Sequence, residues 1–196
     1  MMNARKNNYF FNTKIIAKKQ IYFTEIESTQ NEAKKLAERN IENGTIIITD
    51  YQTKGKGTHD RKWYSEKNKN LSFTIILYPK CQIDKLENLT VDIAKCITKV
   101  IKNLFNIELE IKFPNDIMLK MKKMGGILTQ MVTEGEKIRY LLIGIGINVN
   151  GENFNEEIKD IATSLKKEFK KSFSKENILN NFCMEFEKYC IEKNII

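Results

Sequence analysis

The apolar positions of this chain alternate with polar ones in some stretches and recur every three to four residues in others. Alternation, or a β-branched run, predicts strands over residues 21–26, 45–51, 71–78, 107–112, 117–119, 125–133 and 137–148. The three-to-four spacing predicts a long amphipathic helix over residues 84–106 and a last helix that begins at Ser174. Ser28 and Ser164 are well placed to cap two shorter helices.

Turn signals dominate the second half of the chain. Residues 113–116 contain Pro114, residues 120–123 are charged, and Gly135 separates the last two predicted strands. There are no repeats and no low-complexity linkers. We therefore predict one α+β domain with a mixed, mostly antiparallel sheet and helices packed on one side. Its core would span residues 20–150, and a C-terminal helical region would span 155–196.

Composition narrows the functional classes. The 196 residues are 41% hydrophobic, enough for a sizeable core, and carry a net charge of +8. The lysines are interleaved with acidic residues along the whole chain, which is not the footprint of a nucleic-acid-binding face. No apolar run approaches the length of about 18–20 residues that spans a bilayer, and no signal-peptide segment is present.

Cysteine usage predicts a reducing compartment. The four cysteines form no C-x-x-C pair, and the single histidine, His59, lies far from all of them in sequence: Cys81, Cys96, Cys183 and Cys190. This spacing argues against a zinc site and against a disulfide framework. Free thiols are typical of a cytoplasmic protein, and we expect Cys183 and Cys190 to be small core residues of one helix.

The richest candidate chemistry lies in residues 50–65, DYQTKGKGTHDRKWYS. Gly55 and Gly57 stand among basic residues, and the only Trp and His of the chain are here too. Backbone N–H groups of a glycine loop, together with cationic side chains, form an anion-binding concavity. We expect a phosphate or carboxylate site that closes as a mobile lid; the alternative is a solvated surface turn.

Other features end or interrupt predicted strands and could share one rim with this loop. These are the Ser28–Thr29 pair, the Pro-Asn-Asp turn and Lys123 before a glycine pair. Gly144 and Gly146 inside a strand indicate that a ligand or another backbone packs close. A lysine beside phosphates suits the binding of an organic anion with a nucleotide. No Ser/His/Asp or Cys/His set is present, so covalent catalysis by the protein is not expected.

Five collinear motifs resemble those of the biotin protein ligases. They are EIESTQN at 25–31, YQTKGKGTHDRKW at 51–63, KFPNDI at 112–117, KMGGIL at 123–128 and IGIGINV at 143–149. The likeness covers residues 22–150. It implies the catalytic fold of the biotin and lipoate ligases, which is similar to that of class II aminoacyl-tRNA synthetases.

The resemblance also implies a reaction and its partners. Biotin and ATP, with Mg²⁺, would form biotinyl-5′-AMP, and biotin would pass to a lysine of a biotin carboxyl carrier protein, a post-translational biotinylation. The expected type is monofunctional, without the N-terminal DNA-binding domain and without the small C-terminal β-barrel. Neither nucleic acid nor membrane is an expected partner. The oligomeric state stays open, a homodimer included.

Site residues follow from the same likeness. The implied biotin-binding residues are Ser28, Thr29, Gln30, Gln52, Gly55, Lys56, Gly57, Thr58, Lys123, Gly126, Gly144 and Gly146. The implied ATP- or adenylate-binding residues are Lys56, Arg61, Trp63, Lys112, Asn115 and Asn148. Lys123, Arg61 and Lys112 are the implied catalytic residues, with Lys123 in the central electrostatic role, and Asp116 is the implied aid to Mg²⁺.

One residue departs from the family pattern. Many members carry Arg after the second loop glycine, where it helps to retain the adenylate, and this chain has Thr58. A hydroxyl cannot replace a bidentate guanidinium, so we expect weaker retention of biotinyl-AMP unless a neighbouring cation compensates. Three alternatives stay open: a lipoate–protein ligase of the same superfamily, a basic nucleic-acid-binding module, and a catalytically inactive family member.

Overall fold

A computed structural model describes residues 9–59 and 61–196. Its elements are β1 Gln20–Phe23, α1 Thr29–Ala37, β2 Ile46–Thr49, β3 Leu71–Leu77, a 3₁₀ turn Ile83–Leu86, α2 Leu89–Phe105, β4 Glu110–Lys112, β5 Asp116–Leu119, β6 Lys122–Glu134, β7 Lys137–Ile147, α3 Leu165–Phe169 and α4 Lys175–Glu192. Every strand and helix predicted from the sequence is present, most of them shorter than predicted. The interpretations of residues 1–8 as polar N-terminal sequence and of Asp60 as part of the basic loop lie outside the described residues.

The strands form one sheet in the order β1-β2-β3-β7-β6-β5-β4. β1 and β2 are parallel, and every other neighbouring pair is antiparallel. The predicted mixed, mostly antiparallel sheet is therefore confirmed. β4 and β5 pair with each other, so the turn around Pro114 reverses the chain. Residues 117–119 therefore belong to a separate strand, β5, and do not continue β4.

Helices cover both faces of the sheet, and the prediction that they pack on one side is wrong for α1. Ile46 and Ile48 of β2 join the core that α2 and α4 cover. Ile47, between them, joins a second core with Ala33 and Ala37 of α1. Successive strand side chains point to opposite faces, and a strand that is apolar on both faces needs cover on both.

Capping hydrogen bonds are present at two of the serines that begin helices and absent at the third. The hydroxyls of Ser164 and Ser174 accept the backbone N–H groups of Lys167 and Asn177. Ser28 stands at the cap position of α1, but its side chain makes no cap hydrogen bond.

All four cysteines are free, and Cys96, Cys183 and Cys190 are buried, as the prediction of small core thiols requires. Burial raises the pKa of the Cys96 thiol to about 12, so this thiol is a poor nucleophile near neutral pH. Within the described ranges, none of the helices combines the length and apolar content that a membrane crossing needs.

Candidate functional site

A cleft of about 440 Å³ opens on the sheet face that carries α1. The start of α1, the basic loop, the turn before β5 and the glycines of β6 and β7 all contribute to its walls. The predicted site residues that line it are Ser28, Thr29, Gln30, Gln52, Lys56, Gly57, Thr58, Arg61, Trp63, Lys112, Asn115, Asp116, Lys123, Gly126, Gly144, Gly146 and Asn148. Gly55 is the exception, because it lines an adjoining cleft behind the basic loop.

The floor of the cleft is glycine because side chains from elsewhere occupy the space above it. A Cβ atom at Gly146 would overlap the indole of Trp63. A Cβ atom at Gly144 would lie 2.6 Å from Oε1 of Gln30, and one at Gly126 would lie 3.3 Å from Cζ3 of Trp63. Only the absence of side chains on these strands lets Trp63 and Gln30 lie directly against the sheet.

The basic loop folds on itself as a small hairpin. Trp63 N–H donates to the Gly55 carbonyl at 2.9 Å, and Gly57 N–H donates to the Arg61 carbonyl at 2.7 Å. A Cβ at Gly55 would overlap the Trp63 carbonyl, so this glycine permits the two arms to approach each other. The Gly57 N–H is therefore used within the loop, and the expectation that it faces an anion is wrong for this group.

Thr58 positions the arginine of the same loop. Its hydroxyl oxygen accepts a hydrogen bond from Arg61 Nη2 at 3.0 Å, and its carbonyl accepts one from Arg61 Nε at 3.2 Å. The Arg61 guanidinium is thus held at the cleft wall by Thr58.

Lys123 and Asp116 form an ion pair inside the cleft. Lys123 Nζ lies 2.6 Å from Asp116 Oδ1, and the two side chains are 30% and 19% exposed. The ammonium also lies 5.8 Å from the centre of the Trp63 ring. Lys123 thus presents a fixed positive charge, with its counter-ion, next to the tryptophan.

This pairing bears on the expected metal role of Asp116. The carboxylate already faces an ammonium, which competes for the same oxygen. Among residues 9–59 and 61–196, no group of three or more His, Cys, Asp or Glu side chains is placed to hold a metal ion. The described residues therefore do not fit a metal site formed by protein ligands alone, and Asp116 is the partner of Lys123.

A buried polar network closes the α1 end of the cleft. Thr29 donates its N–H and hydroxyl to Gln52 Oε1 at 2.9 and 3.1 Å. The Thr74 hydroxyl lies 2.9 Å from that of Thr29 and 3.2 Å from Gln30 Oε1. These side chains are fixed before any ligand arrives, which favours selective recognition of a small polar group.

Three buried polar atoms around the cleft have neither a hydrogen-bond partner nor an ion-pair partner in the described residues. They are the hydroxyl oxygen of Ser28, Nε1 of Trp63 and Oδ1 of Asn148. Ser28 and Asn148 are only 1% and 3% exposed. Buried polar atoms are rarely left unsatisfied, so this arrangement is typical of groups that pair with a bound ligand.

Lys112 and Asn115 flank the mouth of the cleft in different ways. Lys112 is exposed on the edge strand β4. Asn115 donates its side-chain N–H to the Ile127 carbonyl at 3.1 Å and accepts the Ile127 N–H on its own carbonyl at 3.0 Å. Asn115 therefore joins the Pro-Asn-Asp turn to β6, whereas Lys112 is free to move toward a ligand.

The sequence profile of the biotin/lipoate A/B protein ligase family matches residues 21–148. This range contains all of the predicted site residues. The chain belongs to this family.

This ligase-family chain is also similar to individual ligases of other organisms. It is 36% identical over 178 residues to the bifunctional ligase/repressor BirA of Bacillus subtilis, which covers 90% of this chain and 55% of that protein. It is 33% identical over 136 residues to the biotin–protein ligase of Homo sapiens, covering 66% of this chain and 18% of that one. The chain thus spans about half the length of the Bacillus relative and a much smaller share of the human one.

A solved structure confirms the predicted ligase catalytic fold. The biotin protein ligase from Aquifex aeolicus, in complex with biotin and ATP, superposes with a TM-score of 0.78 at 31% identity. The match covers 90% of this chain and 72% of that one.

The resemblance to the ligase motifs did not point to one wall of the cleft. Ile158, Asp160, Ile161 and Ala162 line it, although they lie in the polar stretch after the last motif. Lys123 holds this wall, because its N–H donates to the Ile161 carbonyl and its carbonyl accepts the Thr163 N–H. The sequence signal that could have indicated this wall is the presence of apolar Ile158, Ile161 and Ala162 within an otherwise polar and charged segment.

Proposed function

We propose that this protein is an ATP-dependent biotin–protein ligase. The observation that carries the proposal is the cleft itself, where Lys123 and Trp63 stand over a floor of strand glycines. Membership of the biotin/lipoate ligase family and the similarity to biotin ligases of three organisms support biotin as the substrate.

In the first step, a carboxylate oxygen of biotin attacks the α-phosphorus of ATP, which enters as its magnesium complex. The bond to the bridging oxygen breaks, pyrophosphate leaves, and biotinyl-5′-AMP forms. Lys123 stabilises the negative charge that develops on the carboxyl and phosphate oxygens. Asp116 holds the Lys123 ammonium in position, and Arg61 and Lys112 add positive charge near the phosphates.

Biotin would lie between the polar end and the glycine floor. Ser28, Thr29 and Gln52 offer donors and acceptors for the ureido ring, and the unpaired Ser28 hydroxyl suits this role. The bicycle and its tail would lie beside Trp63, over the strands whose glycines admit that ring. Asn148, whose Oδ1 is also unpaired, would face the adenylate.

In the second step, the ε-amine of a lysine on a biotin carboxyl carrier protein attacks the acyl carbon of the mixed anhydride. The amide bond forms, AMP leaves, and the amine loses a proton. We place this reaction in the cytoplasm, where the four free cysteines stay reduced.

Transfer of labelled biotin to a purified carrier domain, with and without MgATP, tests the function. We expect label on the acceptor lysine only when ATP is present. Pyrophosphate release that depends on biotin and not on lipoate would separate the two substrates of this family. Pyrophosphate release with lipoate but not with biotin would contradict the proposal. So would the absence of release with either acid.

A further inference from the structure

Asp160 is a carboxylate in a cleft whose other charges suit anions. The cationic side chains that line the cleft are Lys56, Arg61, Lys62, Lys112 and Lys123. Two carboxylates line it with them, and one of these, Asp116, is paired with Lys123 at 2.6 Å. Within residues 9–59 and 61–196, the exposed Asp160 side chain makes no ion pair and no hydrogen bond. Its negative charge is therefore available to a ligand.

The charge of Asp160 does not fit the two small substrates of the proposed function. The carboxylate of biotin and the phosphates of ATP are negative, and like charges repel each other more strongly in a partly enclosed cleft than in water. The reactants also include two cations, which are the lysine ammonium of the acceptor protein and the magnesium that accompanies ATP. The surroundings of Asp160 distinguish between these two.

Asp160 stands on the outer wall of the cleft, and the backbone of Lys123 fixes this wall. The Lys123 N–H donates to the Ile161 carbonyl at 2.8 Å, and the Thr163 N–H donates to the Lys123 carbonyl at 2.9 Å. Inside the wall, the Ile161 N–H donates to the Ile158 carbonyl at 3.1 Å. The carboxylate is thus carried by a turn that is tied to the lysine proposed to stabilise charge at the acyl group.

Apolar side chains border the same part of the cleft mouth. Met121 and Ile161 line the cleft, yet they are 80% and 62% exposed. Met121 stands in the turn between β5 and β6, and Ile161 directly follows Asp160. The carbon stem of a lysine packs along apolar surface while its ammonium stays with polar partners. The mouth therefore offers surface for such a stem and a carboxylate beside it.

Magnesium fits this place less well. It requires octahedral coordination by oxygen atoms. The neighbours of Asp160 in the outer wall are Ile158, Ile161 and Ala162, and none of them has a side-chain oxygen. The ammonium of a lysine, by contrast, needs one carboxylate and an apolar surface for its stem.

We infer that Asp160 binds the ammonium of the acceptor lysine at the cleft mouth, with the lysine stem on Met121 and Ile161. The inference rests on the proposed function and concerns its second step alone. The bound ammonium loses one proton to water before it reacts. As the amine nitrogen bonds to the acyl carbon and the bond from that carbon to the phosphate oxygen breaks, the nitrogen is positively charged until its second proton leaves to water. The Asp160 carboxylate stabilises this positive charge.

Asp160→Asn tests the inference, because it keeps the size of the side chain and removes its charge. The burst of pyrophosphate released from biotin and ATP without acceptor measures the first step. Single-turnover transfer from the enzyme–biotinyl-AMP complex to a carrier domain measures the second. We expect transfer to fall about 10-fold, as for the loss of a hydrogen bond to a charged group, and the burst to stay unchanged.

Hydroxylamine separates a role of the charge from a structural role. It is a nucleophile that is uncharged near neutral pH, so it gains nothing from a carboxylate at the mouth. Asp160→Asn and the wild type should therefore form biotin hydroxamate at the same rate. High salt should also bring their rates of transfer to the carrier domain closer together, because salt screens exposed ion pairs.

Glu156→Gln is the matched control. It removes the same charge from the same segment, at an 86% exposed side chain that pairs with Lys159 and lies outside the cleft lining. Its rates should equal those of the wild type. Met121→Asn tests the apolar part of the site, because asparagine tolerates the positive φ of 65° at this turn. It should slow transfer to the carrier domain less than Asp160→Asn does, with the hydroxylamine rate unchanged.

Three results would overturn the inference while the proposed function stands. The first is transfer to the carrier domain at the wild-type rate in Asp160→Asn. The second is an equal loss toward hydroxylamine, which would indicate a structural role. The third is a smaller pyrophosphate burst, which would assign Asp160 to the nucleotide or its magnesium. A wild type that forms no biotinyl-AMP would instead overturn the proposed function, and this inference with it.

Discussion

The indole of Trp63 lies against the backbone of Gly146, in the volume that a β-carbon at position 146 would need. Its Nε1 and Cζ2 atoms are each 2.6 Å from that ideal Cβ position. A glycine near the end of β7 therefore sets how deeply the tryptophan of the basic loop enters the cleft.

Gly146→Ala should displace this ring and weaken biotin binding. Overpacking of this kind costs about 1–3 kcal/mol, which corresponds to roughly 5- to 150-fold in affinity. Trp63 is the only tryptophan of the chain, so its fluorescence reports the displacement directly and calorimetry reports the affinity. Gly126→Ala is the graded control, because its Cβ would lie 3.3 Å from the ring and need only a small shift. A larger effect at 126 than at 146 would refute the assignment.

Lys123→Ala should lower biotin-dependent pyrophosphate release by about 10²–10³-fold, because the developing charge loses its fixed cation. Lys120→Ala is the control, since Lys120 lies on the adjacent turn and pairs with Glu168 at 3.2 Å, outside the cleft lining. Its rate should stay within a factor of about 2. Undiminished adenylate formation by Lys123→Ala would remove this residue from the mechanism.

Thr58→Arg should slow the release of biotinyl-AMP. The new guanidinium can form two hydrogen bonds to the phosphate, whereas the Thr58 hydroxyl accepts a hydrogen bond from Arg61. The off-rate of labelled biotinyl-AMP in a chase experiment measures the effect. His59→Arg adds the same charge at the next, exposed position and should change the off-rate less. If Thr58→Arg releases the adenylate as fast as the wild type, the idea that Thr58 weakens adenylate retention is wrong.

Glu187→Gln should destabilise the fold by about 1–3 kcal/mol or more. The buried carboxylate accepts the backbone N–H groups of Lys14, Ile15 and Ile16 at distances between 2.6 and 3.1 Å. An amide would turn a donor toward these donors. Glu185→Gln on the same helix removes only the partly exposed ion pair with Lys99 and should cost about 0–1 kcal/mol. Denaturant unfolding compares the two; equal losses would contradict the special role of Glu187.

Most secondary structure could be predicted from the sequence because its causes are local. The periodicity of α2 and the alternation of β6 and β7 arise from neighbouring residues, and Ser164 and Ser174 cap the helices that follow them. The side on which α1 packs could not be predicted this way. It depends on Ile47 and Ile76 of separate strands, which together form a second apolar face that a helix must cover.

Nearly every site residue that the sequence motifs selected lines the cleft, since the spacing of the motifs carries the family resemblance. They did not reveal that Gly57 donates its N–H inside its own loop, that Lys123 pairs with Asp116, or that residues 158–162 form a wall. The Lys123–Asp116 pair and the wall of residues 158–162 are contacts between segments that the fold brings together, and the Gly57 bond depends on how the basic loop folds on itself. Such contacts follow from the packing of the whole sheet and its loops, and no local pattern of residues encodes them.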